Sequence, residues 1–174
     1  MRVVAGEFKG RRLHTARGAR TRPTADRVRE ALFSMLGDVS GARVLDLYAG
    51  TGALGIEALS RGAESAVFVE RDRQALAMLR RNLDAVGAEA EVRNQDALRF
   101  LARPVGRFDL VFCDPPYDDA SRVAAPLSEA LPAMLGEDAR IVTESDKRNP
   151  LILPLPLVVE RSYGDTRIAI HSST

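Results

Sequence analysis

Residues 46–55 read DLYAGTGALG, and the reading of the fold starts from them. The apolar run ARVLDL (42–47) enters this stretch and the helix-forming run ALGIEALSRG (53–62) leaves it. Gly50, Gly52 and Gly55 therefore make a G-x-G-x-x-G turn between a strand and a helix, the context in which such a turn holds a nucleotide-like ligand. Three glycines there would also serve as a plain tight turn. Asp46, four residues before Gly50, separates the ligands. A carboxylate pointing into the loop repels a pyrophosphate but attracts a ligand that is cationic at that point, as the ammonium group of S-adenosylmethionine is.

Outward from this loop, strand-like and helix-like segments alternate. A capped amphipathic helix is expected over 24–37, with Thr24 as cap, Val28, Leu32, Phe33, Met35 and Leu36 as its apolar stripe, and Gly37 as its stop. Strands are expected at 42–50, 65–70, 90–95, 108–114 and 138–145, and helices at 53–62, 73–87, 97–102 and, broken by proline, 122–135. Such alternation predicts a parallel sheet covered on both faces. The last segment differs, because two strand-like runs over 155–172 flank YGDT, whose Gly-Asp suits a turn. The expected architecture is an α/β, Rossmann-like sheet closed by a C-terminal antiparallel hairpin. Residues 2–5 and 11–14, around GEFKG, suit a small hairpin or loose arm.

Acids recur at the expected carboxyl ends of the strands, where open α/β sheets bind ligands. Glu70 ends the second strand, placed to accept both hydroxyls of a ribose. Asp96 ends the third, placed to accept from an adenine amino group while the N–H of Ala97 meets a ring nitrogen. As surface or helix-capping residues, both acids also have plain structural readings.

The fourth strand runs into FCDPPYDD (112–119). Pro115 and Pro116 cannot continue a strand, and Pro115 pushes Asp114 toward extended backbone. The result is a stiff loop beside the glycine turn. An ionised Asp114 and the Pro115 carbonyl offer two acceptors to an exocyclic amino group, which is a poor nucleophile because its lone pair is delocalised into the ring. Holding both amine hydrogens aims that lone pair at an incoming carbon. Tyr117 offers a face for base stacking, worth roughly 1–3 kcal/mol. A base in a duplex cannot reach such a pocket, so the target is unpaired or flipped out.

At 174 residues the chain suits one domain over 1–174, with a basic arm over 1–23 and the remainder over 24–174. Its single cysteine, Cys113, sits within an apolar strand and excludes an internal disulfide framework. No apolar run approaches the ~20 residues of a membrane helix, and no secretory leader is visible. A cytoplasmic, metal-free protein is expected. The net charge of +1 hides an asymmetry: residues 1–29 carry net +7 and the rest net −6. A basic end on an acidic body suits a polyanion contact, with Lys9, Arg11, Arg12 and Arg20 as candidate RNA-binding residues.

Three further segments join these motifs in a family resemblance. VVAGEFKGRRL (3–13), RPTADRVREALFSML (22–36), DLYAGTGALGIEALSRGA (46–63), DPPY (114–117) and YGDTRIAI (163–170) resemble, in order and over nearly the whole chain, the RsmD family, which methylates the 2-amino group of one guanine in bacterial 16S ribosomal RNA. The resemblance implies a seven-stranded methyltransferase fold without a metal, S-adenosyl-L-methionine as cofactor, and ribosomal RNA within a small-subunit particle as substrate, with the enzyme acting as a monomer. It places Asp46, Tyr48, Gly50, Thr51, Gly52, Glu70, Arg71, Asp96 and Ala97 at the cofactor and Asp114, Pro115, Pro116 and Tyr117 at the guanine. Arg22, Thr24 and Arg27 would meet the cofactor's carboxylate. DPPY alone is shared by adenine-N6 methyltransferases acting on DNA. Other rivals are a nicotinamide-dependent oxidoreductase, resting on the glycines alone, and a non-catalytic RNA-binding assembly factor.

Overall fold

The computed structural model describes residues 1–15, 26–103, 106–116 and 119–174, so Arg20, Arg22, Thr24 and Tyr117 lie outside the described residues. The elements in chain order are α1 (Asp26–Leu36), β1 (Arg43–Leu47), α2 (Ala53–Ser60), β2 (Ser65–Val69), α3 (Arg73–Val86), β3 (Glu91–Arg93), α4 (Ala97–Leu101), β4 (Phe108–Cys113), α5 (Ala120–Ala130), β5 (Leu135–Asp146), β6 (Leu157–Tyr163) and β7 (Thr166–Ser172). One seven-stranded sheet has the order β3-β2-β1-β4-β5-β7-β6. β3, β2, β1, β4 and β5 are parallel, and β7 runs antiparallel to both β5 and β6. The parallel sheet with a closing antiparallel hairpin is the architecture the sequence predicts.

Both faces of the sheet are packed, as a parallel sheet requires. On one side Val44, Phe68, Leu110, Phe112 and Val142 meet Leu32 and Phe33 of α1, Ile56 of α2 and Leu79 and Leu83 of α3. On the other, Leu45, Leu47, Val111, Cys113 and Ile141 meet Phe100 and Leu101 of α4 and Val123 and Leu127 of α5. Three boundaries differ from expectation. β1 stops at Leu47 because Tyr48 turns the chain at φ 61°. β5 starts at Leu135, before a left-handed Asp138 (φ 58°) and a register shift opposite Phe108 and Leu110. α5 already begins at Ala120, tolerates Pro126, and gives way to a 3₁₀ turn over Leu131–Met134.

The N-terminal segment forms a docked loop pinned by an isolated Arg2–Arg12 antiparallel bridge. Val3, Phe8 and Leu13 are buried in the first core. The loop wraps Ser60, whose carbonyl accepts from Glu7 N (2.7 Å) and whose hydroxyl accepts from Phe8 N (2.9 Å). Gly6 is required there: at φ +82° a Cβ would sit 1.6 Å from the Ser60 carbonyl oxygen. Beneath, the buried Glu57 of α2 accepts from Val4 N (2.8 Å), Ala5 N (3.0 Å), Arg29 Nε (3.3 Å) and Arg61 Nε (2.9 Å). Arg29, fully buried on α1, also donates to the Arg2 carbonyl and to Asp26 Oδ1.

Removing one partner of a buried pair leaves the other charge uncompensated, at about 3–5 kcal/mol. Arg61 and two backbone amides remain with Glu57, so Arg29→Met is expected to lower unfolding free energy by about 3 kcal/mol in urea titrations. A value below about 1 kcal/mol would contradict this role for Arg29.

Candidate active site at the carboxyl edge of the sheet

β1 and β4 are neighbours, with Asp46 opposite Phe112 and Leu47 opposite Cys113. Their following loops, the glycine turn and Asp114-Pro115-Pro116, therefore open into one crevice. Within the turn, Gly52 N donates to Ala49 O (2.8 Å) and caps α2 at φ 80°. Gly55 has no room for a side chain: a Cβ would lie 2.3 Å from the Phe68 ring and 3.0 Å from Asp46 Oδ2. That closeness lets Asp46 Oδ2 accept from Gly55 N at 3.0 Å. Asp46 is 3% exposed. Burial, opposed by the Gly55 hydrogen bond and aided by the Glu70 charge, pushes its carboxyl up to about 7.

Glu70 follows β2 and folds back over the turn. Its Oε2 accepts from Gly50 N (2.8 Å) and its Oε1 from Asp72 N (2.7 Å). A carboxylate offers about four lone-pair sites, so two of them remain for a diol. Asp96 does what its bland reading predicted, capping α4 through Oδ1 to Leu98 N (3.0 Å) and Arg99 N (3.3 Å). Its Oδ2 nevertheless faces Arg71 Nη1 at 3.5 Å. Ala97, the first residue of α4, is buried, and its N–H has no acceptor within the helix. Arg71 also approaches Asp119 Oδ2 (3.7 Å), and Asp119 N donates to Pro116 O (2.8 Å). Tyr48, Arg71, Asp96, Leu98, Asp119 and Val123 line a cleft of about 350 Å³. The Tyr48 hydroxyl is buried without a hydrogen-bond partner among the described residues.

Asp114 departs from expectation in its charge. An ionised group is predicted from its ordinary value, whereas its carboxyl is pushed well up by burial, then by Glu144, then by Asp46. Those neighbours are invisible in the motif. Pro115 is buried and Pro116 exposed. Cys113 is buried and its thiol is pushed up by the same withdrawal from water, so it is core.

Outside the crevice, Lys9 and Arg12 are exposed on the docked loop. Arg11 is exposed too, but it is also anchored, donating to Val86 O at 2.6 Å and covering the Phe8 ring. Arg27 is exposed on α1. Sequence reasoning passed over Asn82, fully buried on α3, whose Nδ2 donates to Thr51 O (2.9 Å) and His14 O (3.1 Å) and whose Oδ1 accepts from His14 N (2.7 Å). The available signal was an asparagine within the Leu79–Leu83–Val86 apolar stripe. Among the described residues no helix is long and apolar enough to cross a membrane, and no three His, Cys, Asp or Glu side chains group as metal ligands.

Sheet order, glycine turn and acids at the carboxyl ends of β1, β2 and β3 define a Rossmann-like methyltransferase. The family described as "Conserved hypothetical protein 95" matches residues 1–172, and the chain belongs to it; it is the RsmD family of the sequence resemblance. The chain is 39% identical over 174 residues to "Ribosomal RNA small subunit methyltransferase D" of Haemophilus influenzae, covering 94% of this chain and 89% of the relative. The Escherichia coli K12 protein of the same name is 39% identical over 158 residues, covering 87% and 77%. Among solved structures, yhhF of Escherichia coli, provisionally assigned as a methyltransferase, superposes with TM-score 0.86 at 36% identity, covering 99% of this chain and 97% of that one. SMU.776, a methyltransferase-like structure complexed with SAH, shares the fold alone, at TM-score 0.68 and 15% identity over 84% of this chain and 48% of that one.

A carboxyl raised from 3.8 to about 7 binds a proton in the folded chain that the unfolded chain releases. Its stabilising contribution is full below about pH 4 and is lost as pH rises through 7. Asp46→Asn keeps the acceptor for Gly55 N–H but cannot ionise. The variant is expected to gain stability relative to the wild-type chain steadily from pH 5 to 8 in thermal unfolding, and a pH-independent difference would contradict the assignment.

Proposed function

We propose that this chain transfers a methyl group from S-adenosylmethionine to the exocyclic 2-amino group of a guanine in 16S ribosomal RNA. The RNA is presented within a cytoplasmic small-subunit particle, and the chain acts as a monomer. The observation that supports this most is the shared crevice: a stiff Asp114-Pro115-Pro116 loop beside a glycine turn whose acids suit a cationic nucleoside. The names of the relatives and the family membership point the same way.

The donor set fits that cofactor. Glu70 has free lone pairs for ribose hydroxyls, Asp96 and the Ala97 N–H lie at the adenine side, and Asp46 sits where positive charge is welcome. Tyr48, whose buried hydroxyl has no hydrogen-bond partner among the described residues, lines the same cleft. Tyr48, Gly50, Thr51, Gly52 and Arg71 complete the wall, with Arg22, Thr24 and Arg27 assigned to the methionine carboxylate. The bound cofactor supplies an electrophilic methyl carbon on a sulfonium. The chain's part is position and charge.

Asp114 and the Pro115 carbonyl accept the two amine hydrogens, which turns the nitrogen lone pair toward the methyl carbon. The methyl carbon would leave the cofactor without its bonding pair, and the amine that takes it would become cationic. A carboxylate beside it stabilises that charge and receives the departing proton. Tyr117 would stack on the base. Lys9 and Arg12, with Arg11 and Arg20, would meet phosphates, the first pair more directly than the anchored Arg11.

The test is methyl transfer from labelled S-adenosylmethionine to small-subunit particles from a strain lacking this enzyme, beside naked 16S RNA and duplex DNA, with digestion to nucleosides. Label in 2-methylguanosine from the particle is expected; label only in DNA adenine would overturn the substrate. Asp114→Ala is expected to lower kcat by about 100-fold or more with cofactor affinity nearly unchanged. Because the Asp114 carboxyl is raised and acts ionised, kcat/KM should climb with pH as that carboxyl loses its proton. Equal losses of cofactor binding and turnover would refute this division of labour.

A further inference from the structure

The motif accounts for one carboxylate at the amine, yet a second stands beside it. β4 and β5 are parallel with Cys113 opposite Thr143, so Asp114 and Glu144 occupy neighbouring positions one step further along. Two residues earlier, Phe112 and Val142 point into the same core, so by strand alternation Asp114 and Glu144 share that face. Adjacent strands lie about 4.8 Å apart, which brings the two side chains against one ligand edge. Glu144 is 4% exposed, and its charge is the foremost neighbouring influence on Asp114, ahead of Asp46.

A buried Glu144 and a half-buried Asp114 side by side oppose each other's ionisation. A ligand with adjacent hydrogen donors relieves that opposition. Guanine carries N1–H next to its 2-amino group. Adenine carries a bare N1, whose lone pair would face a carboxylate, next to its 6-amino group. Asp114 and the Pro115 carbonyl hold an amine of either base and cannot tell them apart.

Building on the methyltransferase reading above, we propose that Glu144 accepts the N1–H of the target base and makes the pocket specific for guanine. Glu144 also has an interaction within the protein, but a carboxylate has about four acceptor sites and can serve both.

The probe is 16S RNA carrying guanine or 2-aminopurine at the position the wild-type enzyme methylates, reconstituted into particles. 2-Aminopurine keeps the methyl-accepting amine and replaces N1–H by a bare nitrogen. The wild-type enzyme is expected to favour guanine by roughly 10- to 100-fold in kcat/KM. Glu144→Gln, whose amide donates to a bare nitrogen, is expected to narrow that ratio at least tenfold by slowing guanine and quickening 2-aminopurine. Equal wild-type rates on the two bases overturn the inference even if the variant does not fold. So does a Gln variant that slows both alike, which would make Glu144 a structural residue. Failure of the wild-type enzyme to label guanine in any particle would instead sink the guanine reading itself, and this inference with it.

Discussion

Glu57 is the constraint from which the geometry of this molecule follows. It is fully buried in α2, and four donors converge on its carboxylate: two amides of the N-terminal loop, Arg29 of α1 and Arg61 one turn on. A buried carboxylate is costly unless its lone pairs are met, so once α2 packs, the N-terminal loop and α1 have one place to go. α2 is also the helix that the glycine turn opens. The segment carrying Lys9 and Arg12 and the turn assigned to the cofactor are thus fastened to opposite ends of one eight-residue helix.

Asn82 ties a second thread between the same parts. Its amide joins His14, where the docked loop ends, to the Thr51 carbonyl within the glycine turn. A buried amide with all these bonds made holds one geometry, because each alternative leaves a polar group unmet. The N-terminal segment is therefore a packed part of the domain rather than an appendage, at least through His14, which Asn82 links to the glycine turn. Its positive charge sits on an apolar underside of Val3, Phe8 and Leu13.

The parallel sheet and its closing hairpin were legible because period, glycine stops and turn residues agree from segment to segment. The crevice was legible for the same reason: Asp46, Glu70, Asp96 and Asp114 each follow or end an apolar strand, and strand ends converge in a parallel sheet. Glu57 was not legible, since its loop partners lie 52 and 53 residues away and a single acid in ALGIEALS reads as surface. The tether on Arg11 was hidden for a related reason, its carbonyl partner Val86 being 75 residues distant. The raised carboxyls of Asp46 and Asp114 arise first from burial and then from nearby carboxylates, Glu70 for Asp46 and Glu144 with Asp46 for Asp114. Neither exists along the chain, so no motif encodes them.

Those raised carboxyls give the crevice its electrostatic character. Asp46, Asp114 and Glu144 lie on one face near the carboxyl edge of three neighbouring strands, withdrawn from water and close enough to oppose one another's charge. Without ligand, the favourable course is to keep protons on some of them. A cation or a row of hydrogen donors reverses that balance, because the field that opposes a second negative charge welcomes a positive one. On the proposed reading, a cationic cofactor ionises the wall nearest it, and the charge so created adjoins the seat of the amine. Cofactor and base would then favour each other through shared protons with no movement of the backbone, a coupling that must be reciprocal in free energy.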